Sequence, residues 1–205
     1  MTYLNNIDMN PLIDPSIQHS NHFADVFILE EDLDHRVWIN CEFIRCNFQG
    51  SDLTGNNFIE CQFIDCDFSQ TKINGAGFRE VVFSNCKING IDFSVCNAFI
   101  FSFSFDQCVL DYANFFNTKL NKTTFRNCSL LSTNFEEADL TESIFDNCDL
   151  DGARFVDSIL EKTDFRTAHN FNIDPTLNRL KRSKFSGSNL KGLLQRYKLD
   201  IELNQ

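Results

Sequence analysis

Large apolar residues recur at every fifth position over most of this chain. From Phe43 the steps land on Phe48, Leu53, Phe58, Phe63, Phe68, Ile73, Phe78, Phe83, Ile88 and Phe93 without a miss. From Leu110 they land on Phe115, Leu120, Phe125, Leu130, Phe135, Leu140, Phe145, Leu150, Phe155, Leu160 and Phe165. The two blocks stand 17 residues apart, so the register slips by two between them. A period of five belongs neither to a helix nor to a plain strand. It fits a chain that turns a corner every five residues, with the large residue pointing inward. Four such sides make a coil of about 20 residues, and coils stack at the roughly 4.8 Å spacing of paired strands. The pattern therefore predicts an all-β, four-sided β-helix.

A second inward position lies two residues before each large one. In the second block it holds Cys108, Ala113, Thr118, Thr123, Cys128, Thr133, Ala138, Ser143, Cys148, Ala153, Ser158 and Thr163, all small or short. All nine cysteines fall here: Cys41, Cys46, Cys61, Cys66, Cys86, Cys96, Cys108, Cys128 and Cys148. A spacing of 20 places Leu110, Leu130 and Leu150 on one side and Leu120, Leu140 and Leu160 on another. Phe115, Phe135 and Phe155 fall on a third side, and Phe125, Phe145 and Phe165 on the fourth. Cys108, Cys128 and Cys148 form a ladder closed by Ala168.

The ends depart from the period, as terminal units of a stacked repeat must. Residues 1–22 lack it and read as an irregular N-terminal arm. The repeat body is expected over 23–168. Asp174-Pro175 is expected to stop it, because proline cannot donate to a strand ladder. In the remaining segment, 169–205, Leu190, Leu193, Leu194 and Tyr197 follow an i, i+3, i+4, i+7 pattern. That pattern predicts a short amphipathic α-helix from Ser188 to Tyr197. Its stripe either plugs the last coil or joins two copies of the chain. Inside the body, Ser94 to Gln107 carries the slip. Phe99, Phe101, Phe103 and Phe105 alternate there as in a strand, reading either as a register-shifting bulge or as an exposed aromatic patch.

Composition excludes several classes. No run of 18 apolar residues exists and the N-terminus has no secretory pattern, so a cytoplasmic protein without a membrane span is expected. Cys41-x4-Cys46 and Cys61-x4-Cys66 superficially suggest zinc, but thiols at equivalent slots of different sides do not converge on one ion. His19, His22, His35 and His169 stand outside the regular units with no partner motif. No phosphate loop, nucleophile elbow or catalytic carboxylate pocket is found. No catalytic residue, metal or cofactor is therefore expected, and the protein is read as a non-enzyme. Residues 1–168 hold 26 Asp and Glu against 11 Lys and Arg, and residues 169–205 hold three against seven. By subtraction the body carries −15 and the tail +4. Such a body repels phosphate, so direct nucleic-acid binding is not expected. The charge either mimics that of DNA or keeps a rod soluble.

Units such as CNFQG, SDLTG, CDFSQ, ADLTE and CDLDG resemble the consensus of the pentapeptide-repeat family, over about residues 40–168. That resemblance implies a right-handed quadrilateral β-helix. FILEEDL before CEFIRCNF looks like the first coils of Qnr-type quinolone-resistance proteins. FNIDPTLNRLKRSKFS and GLLQRYKLDIEL are similar to the C-terminal cap of the topoisomerase-protecting subgroup, which includes albicidin- and microcin-immunity proteins. The subgroup implies a DNA mimic that binds DNA gyrase or topoisomerase IV and protects it from a drug or toxin. It also implies a homodimer joined through the C-terminal helix by Leu190, Leu193, Leu194 and Tyr197. Outward acids of the most regular block are the candidate contacts: Glu136, Glu137, Asp139, Glu142, Asp146, Asp149 and Asp151. The alternative is an acidic interaction scaffold for an unrelated partner. The long inter-coil loop of the Qnr pattern is missing here, which makes loop-free immunity proteins the nearer comparison.

Overall fold

The computed structural model describes residues 2–3, 17–28 and 35–200. The chain winds as a right-handed quadrilateral β-solenoid of about six turns, closed at the C-terminal end by a short helical region. All strand pairs are parallel, and within the regular coils each residue pairs with one 20 positions on, as in Asn57–Ile59 with Gly77–Arg79 and Gln62–Ile64 with Val82–Ser84. The four faces are named in chain order from the coil that begins at Trp38. Trp38, Phe58 and Phe78 head the first, Phe43, Phe63 and Phe83 the second, Phe48 and Phe68 the third, and Leu53 and Ile73 the fourth. Regular strands lie on the first two faces. The third and fourth are turns joined by isolated bridges such as Asp67 with Lys87 and Asp52 with Lys72.

Every inward position of the pentad is filled. Nine phenylalanines from Phe23 to Phe185 stack along the second face, with ring centroids 4.9–5.3 Å apart. On the opposite fourth face Phe93, Phe115, Phe135 and Phe155 stack at 4.6–5.3 Å. The two ladders meet edge to face at the axis, as in Phe135 with Phe145 at 5.7 Å and 84°. Opposed aromatic faces span the core, so the faces between them need only leucine. That is the physical reason for the Leu–Phe alternation of the second block.

The short residue two places earlier has its own duty. In most coils its hydroxyl or thiol donates to the carbonyl of the residue 23 before it, as in Ser143 to Leu120 at 2.5 Å, Thr163 to Leu140 at 2.7 Å and Cys148 to Phe125 at 3.3 Å, whereas Ser51 and Thr118 donate to the carbonyl three residues back. A polar atom buried in the core is satisfied in this way, as it must be. The last residue of each pentad turns the corner in the left-handed region, with φ +70° at Gly55, 52° at Asn40 and 56° at Glu60. Glycine and asparagine suit that conformation, hence their abundance at the corners.

Three boundaries differ from the sequence expectation. The expected irregular arm, residues 1–22, already contributes strands: Ile17–His19 pairs with Val37–Ile39, and Thr2–Tyr3 with Val26–Phe27. Residues 4–16 and 29–34, the latter within the FILEEDL stretch, lie outside the described residues. Pro175 does not end the coils. Arg179 pairs with Ile159 and Lys184 with Asp164, so Leu180 and Phe185 carry the first and second faces one rung further. Pro175 sits in the turn beside that rung, where the ladder needs no amide from it. The cap itself is wound as 3-10 helix, over Gly187–Leu193 and Gln195–Tyr197, and not as the α-helix expected.

Candidate functional site

Filled coils leave only the outward positions to meet other molecules, so the candidate site is a surface. Its charges are ordered by the 20-residue repeat. Asp25 with Arg45, Asp52 with Lys72, Asp67 with Lys87 and Glu142 with Lys162 are ion pairs that run along the axis between neighbouring coils. Exposed pairs of this kind add little to stability because water and salt screen them, yet they neutralise charge locally.

The expected contact acids divide among all four faces. Glu136 and Glu137 lie on the fourth face and its corner, Asp149 and Asp151 on the third, Asp139 and Glu142 on the first, and Asp146 on the second. Glu136 meets Arg154 at 3.4 Å, Glu142 meets Lys162 at 2.5 Å and Asp146 meets Arg126 at 3.4 Å. Asp149 lies 4.0 Å from His169. Asp139 accepts from the Thr141 backbone and hydroxyl. Glu137 and Asp151 have no ion pair among the described residues. The seven therefore do not form one patch.

The faces differ in charge. Between Asn47 and Ser186, with each corner counted on the face it ends, the third and fourth faces carry ten Asp and Glu against three Lys and Arg, net −7. The first and second faces carry nine against ten, net +1. The acid excess of the coils thus falls on two adjoining faces. The cations of the other half gather at its C-terminal end as Lys162, Arg166, Arg179, Lys181, Arg182 and Lys184. Sequence order conceals this division, because the two halves alternate every ten residues.

At the cap, Leu193 packs against the core and Leu194 is half-buried, while Leu190 and Tyr197 are 44% and 52% exposed. Gly192 is the buried contact that the apolar pattern missed. A Cβ there would lie 2.4 Å from Phe171 Cε2 and 2.5 Å from its carbonyl oxygen. Asn189 donates to the Phe165 and Ala168 carbonyls at 2.8 and 3.0 Å, closing the last coil. Arg196 bonds Asp174 and holds its carboxyl down to about 2.

The nine cysteines stand in the core slots, eight buried and Cys96 half-buried. Cys46, Cys66, Cys86, Cys108, Cys128 and Cys148 form a single column across the register slip. The hydrogen bond to Cys46, and burial, push the Cys66 thiol up to about 12; the bond to Cys108, and burial, do the same for Cys128. Among the described residues no group of three or more His, Cys, Asp or Glu could hold a metal ion, and no helix is long and apolar enough to cross a membrane.

Coils filled to the axis, a five-residue inward period and a surface sorted by face define a quadrilateral parallel β-solenoid. The chain belongs to the pentapeptide-repeat family: the family model described as the pentapeptide repeat region matches residues 37–115 and 118–194. Among solved structures, a trypsin-treated form of QnrB1, a plasmid-mediated fluoroquinolone resistance protein, is similar at a TM-score of 0.53 and 19% identity, over 91% of each chain. HetL, a pentapeptide-repeat protein involved in heterocyst differentiation regulation from the cyanobacterium Nostoc, is similar at a TM-score of 0.38 and 15% identity, over 87% of this chain and 86% of that one. No curated protein matches the sequence.

Proposed function

We propose that this protein binds a type II topoisomerase, DNA gyrase or topoisomerase IV, on the surface that otherwise holds DNA. It thereby protects the enzyme from an antibiotic or toxin that poisons it. The observation that carries this reading is the division of charge: net −7 on the third and fourth faces against +1 on the other two. A rod with acid along one side and its positive charge elsewhere offers a basic groove an orientation as well as an attraction, which steers association. Occupying a surface requires neither a catalytic residue nor a cofactor. The C-terminal resemblance noted above supports the choice of enzyme, and a dimer through Leu190 and Tyr197 would lengthen the acidic side.

Purified protein added to a gyrase supercoiling assay containing a topoisomerase poison should reduce cleaved-complex formation at low salt. Well-folded protein that neither binds nor protects gyrase at low salt would end this reading and leave a scaffold for another basic partner.

A further inference from the structure

One side chain contradicts the logic of the core. Of 23 phenylalanines, Phe99 is 99% exposed and Phe116 39%, while every other is buried or half-buried. Its position follows from how the register slip is absorbed. Up to Phe93 the coils keep a spacing of 20; then Phe101 pairs with Phe78, an offset of 23, and Phe103 with Val81, an offset of 22. Three extra residues thus enter between Phe93 and Phe101, and one is given back before Phe103. The excess is thrown outward at the corner between the fourth and first faces, with Phe99 at its tip.

The tip is fastened on both sides. The Asn97 backbone N–H donates to the Ala76 carbonyl at 2.9 Å, and the Phe99 N–H donates to Asn97 Oδ1 at 3.0 Å. The Ile100 carbonyl accepts from the Phe78 N–H at 2.7 Å. Ile100 occupies the space left by the missing side chain of Gly77, where a Cβ would stand 2.9 Å from Ile100 Cγ2. The projection is therefore preorganised, and its ring is presented to solvent by a framework that spends its hydrogen bonds to hold it there. Val95, 38% exposed, lies at the same corner, and Phe116 stacks above Ser94 on the fourth face. Two and three coils further along that corner, past Asn117, stand Glu137 and Asp157 of the acidic half.

We propose that Phe99 is an aromatic anchor that seats the acidic half of the solenoid by inserting into an apolar socket on a basic protein surface. This inference rests on the reading above and takes the DNA-binding surface of gyrase as the surface concerned. Charge brings the two together and sets orientation, whereas a fixed aromatic ring entering a pocket supplies short-range affinity, as buried aromatic anchors do at interfaces. Preorganisation keeps the entropic cost of insertion low.

The test compares the full-length protein with Phe99→Ala and Phe99→Trp for binding to immobilised purified gyrase over a range of salt. Folding is followed by circular dichroism and thermal melting. Phe99→Ala should melt as the native protein does, because no contact is lost, and should bind about ten-fold more weakly or worse. Phe99→Trp should keep most of the affinity. The salt dependence should be the same for all three, because no charge changes. In contrast, Glu137→Lys should flatten that dependence. Native protein that binds gyrase while Phe99→Ala binds equally well overturns the anchor and leaves the proposed function standing. Native protein that fails to bind overturns both. Sedimentation showing a dimer that Phe99→Ala dissolves would make a second copy the occupant, and would also overturn the proposal.

Discussion

The pentad's short slot is chosen for chemistry as well as size. Cysteine, serine and threonine share it because each can donate to a nearby backbone carbonyl, mostly that of the coil before, and alanine serves where no donor is needed. This explains nine cysteines without invoking redox or metal chemistry. Native protein should show few thiols reactive toward a disulfide reagent near neutral pH, with nearly all nine appearing on denaturation. The same column makes the fold sensitive to alkali. Cys66 and Cys128 are raised from 9.0 to about 12 in the folded chain. Above about pH 9 the unfolded chain releases protons that the folded one retains, so stability falls as pH rises toward 12. Denaturant melts at pH 8 and pH 10.5 should show that loss, and Cys128→Ser should make it smaller. Cys128→Phe, by contrast, should cost about 1–3 kcal/mol through overpacking at any pH.

At the scale of elements, the cap shows how one turn type changes which residues matter. A stripe at i, i+3, i+4, i+7 shares a face only on an α-helix. On the 3-10 winding observed, residues three apart eclipse, so Leu194 falls off the line of Leu190 and Leu193; Leu193 packs against the core, while Leu190 and Tyr197 are exposed. The plug is made by Gly192 against Phe171, with Leu193 beside it. Gly192→Ala should destabilise the protein by about 1–3 kcal/mol. Gly187→Ala, where nothing lies within 4 Å, should leave the melting curve unchanged. A second pair of variants addresses self-association. If the exposed part of the cap joins two copies, Leu190→Lys with Tyr197→Lys should give folded monomers by sedimentation. Leu193→Lys should instead lower stability whatever the oligomeric state. An unchanged dimer in the first case would place the contact elsewhere.

Across the whole molecule, the division of charge turns a diffuse property into a directional one. A net of −11 for the chain says little about partners. Its placement on two adjoining faces says which side a basic groove would meet. Reversing Glu137, Asp151 and Asp157 together should abolish gyrase binding, whereas reversing Asp139, Glu142 and Asp146 should have little effect. A single reversal on the acidic side should cost only a few-fold. Binding should also weaken steeply with salt, because exposed charges are screened beyond about 8 Å at physiological ionic strength. Equal tolerance of both triple reversals would show that charge does not guide the association.

The five-residue period determined the coil, its four faces and the inward residues, because a repeat that buries one large and one short side chain per corner leaves little else possible. The cysteine slots and the Leu–Phe ladders were legible for the same reason: local spacing becomes spatial stacking once the coil length is 20. What the period could not show lies where the chain leaves it. Beyond Pro175 the ladder continues on two faces because strand pairing there never calls on the proline nitrogen. The cap winds as 3-10 and sets Gly192 against Phe171, a contact that no apolar spacing marks. Phe99 reads like its neighbours Phe101, Phe103 and Phe105 in sequence, and only the offset between coils expels it. The seven outward acids chosen by sequence were scattered around the rod for a related reason. Which acids share a side depends on face, and which remain unneutralised depends on the cation one coil away, so both are properties of the stacked structure.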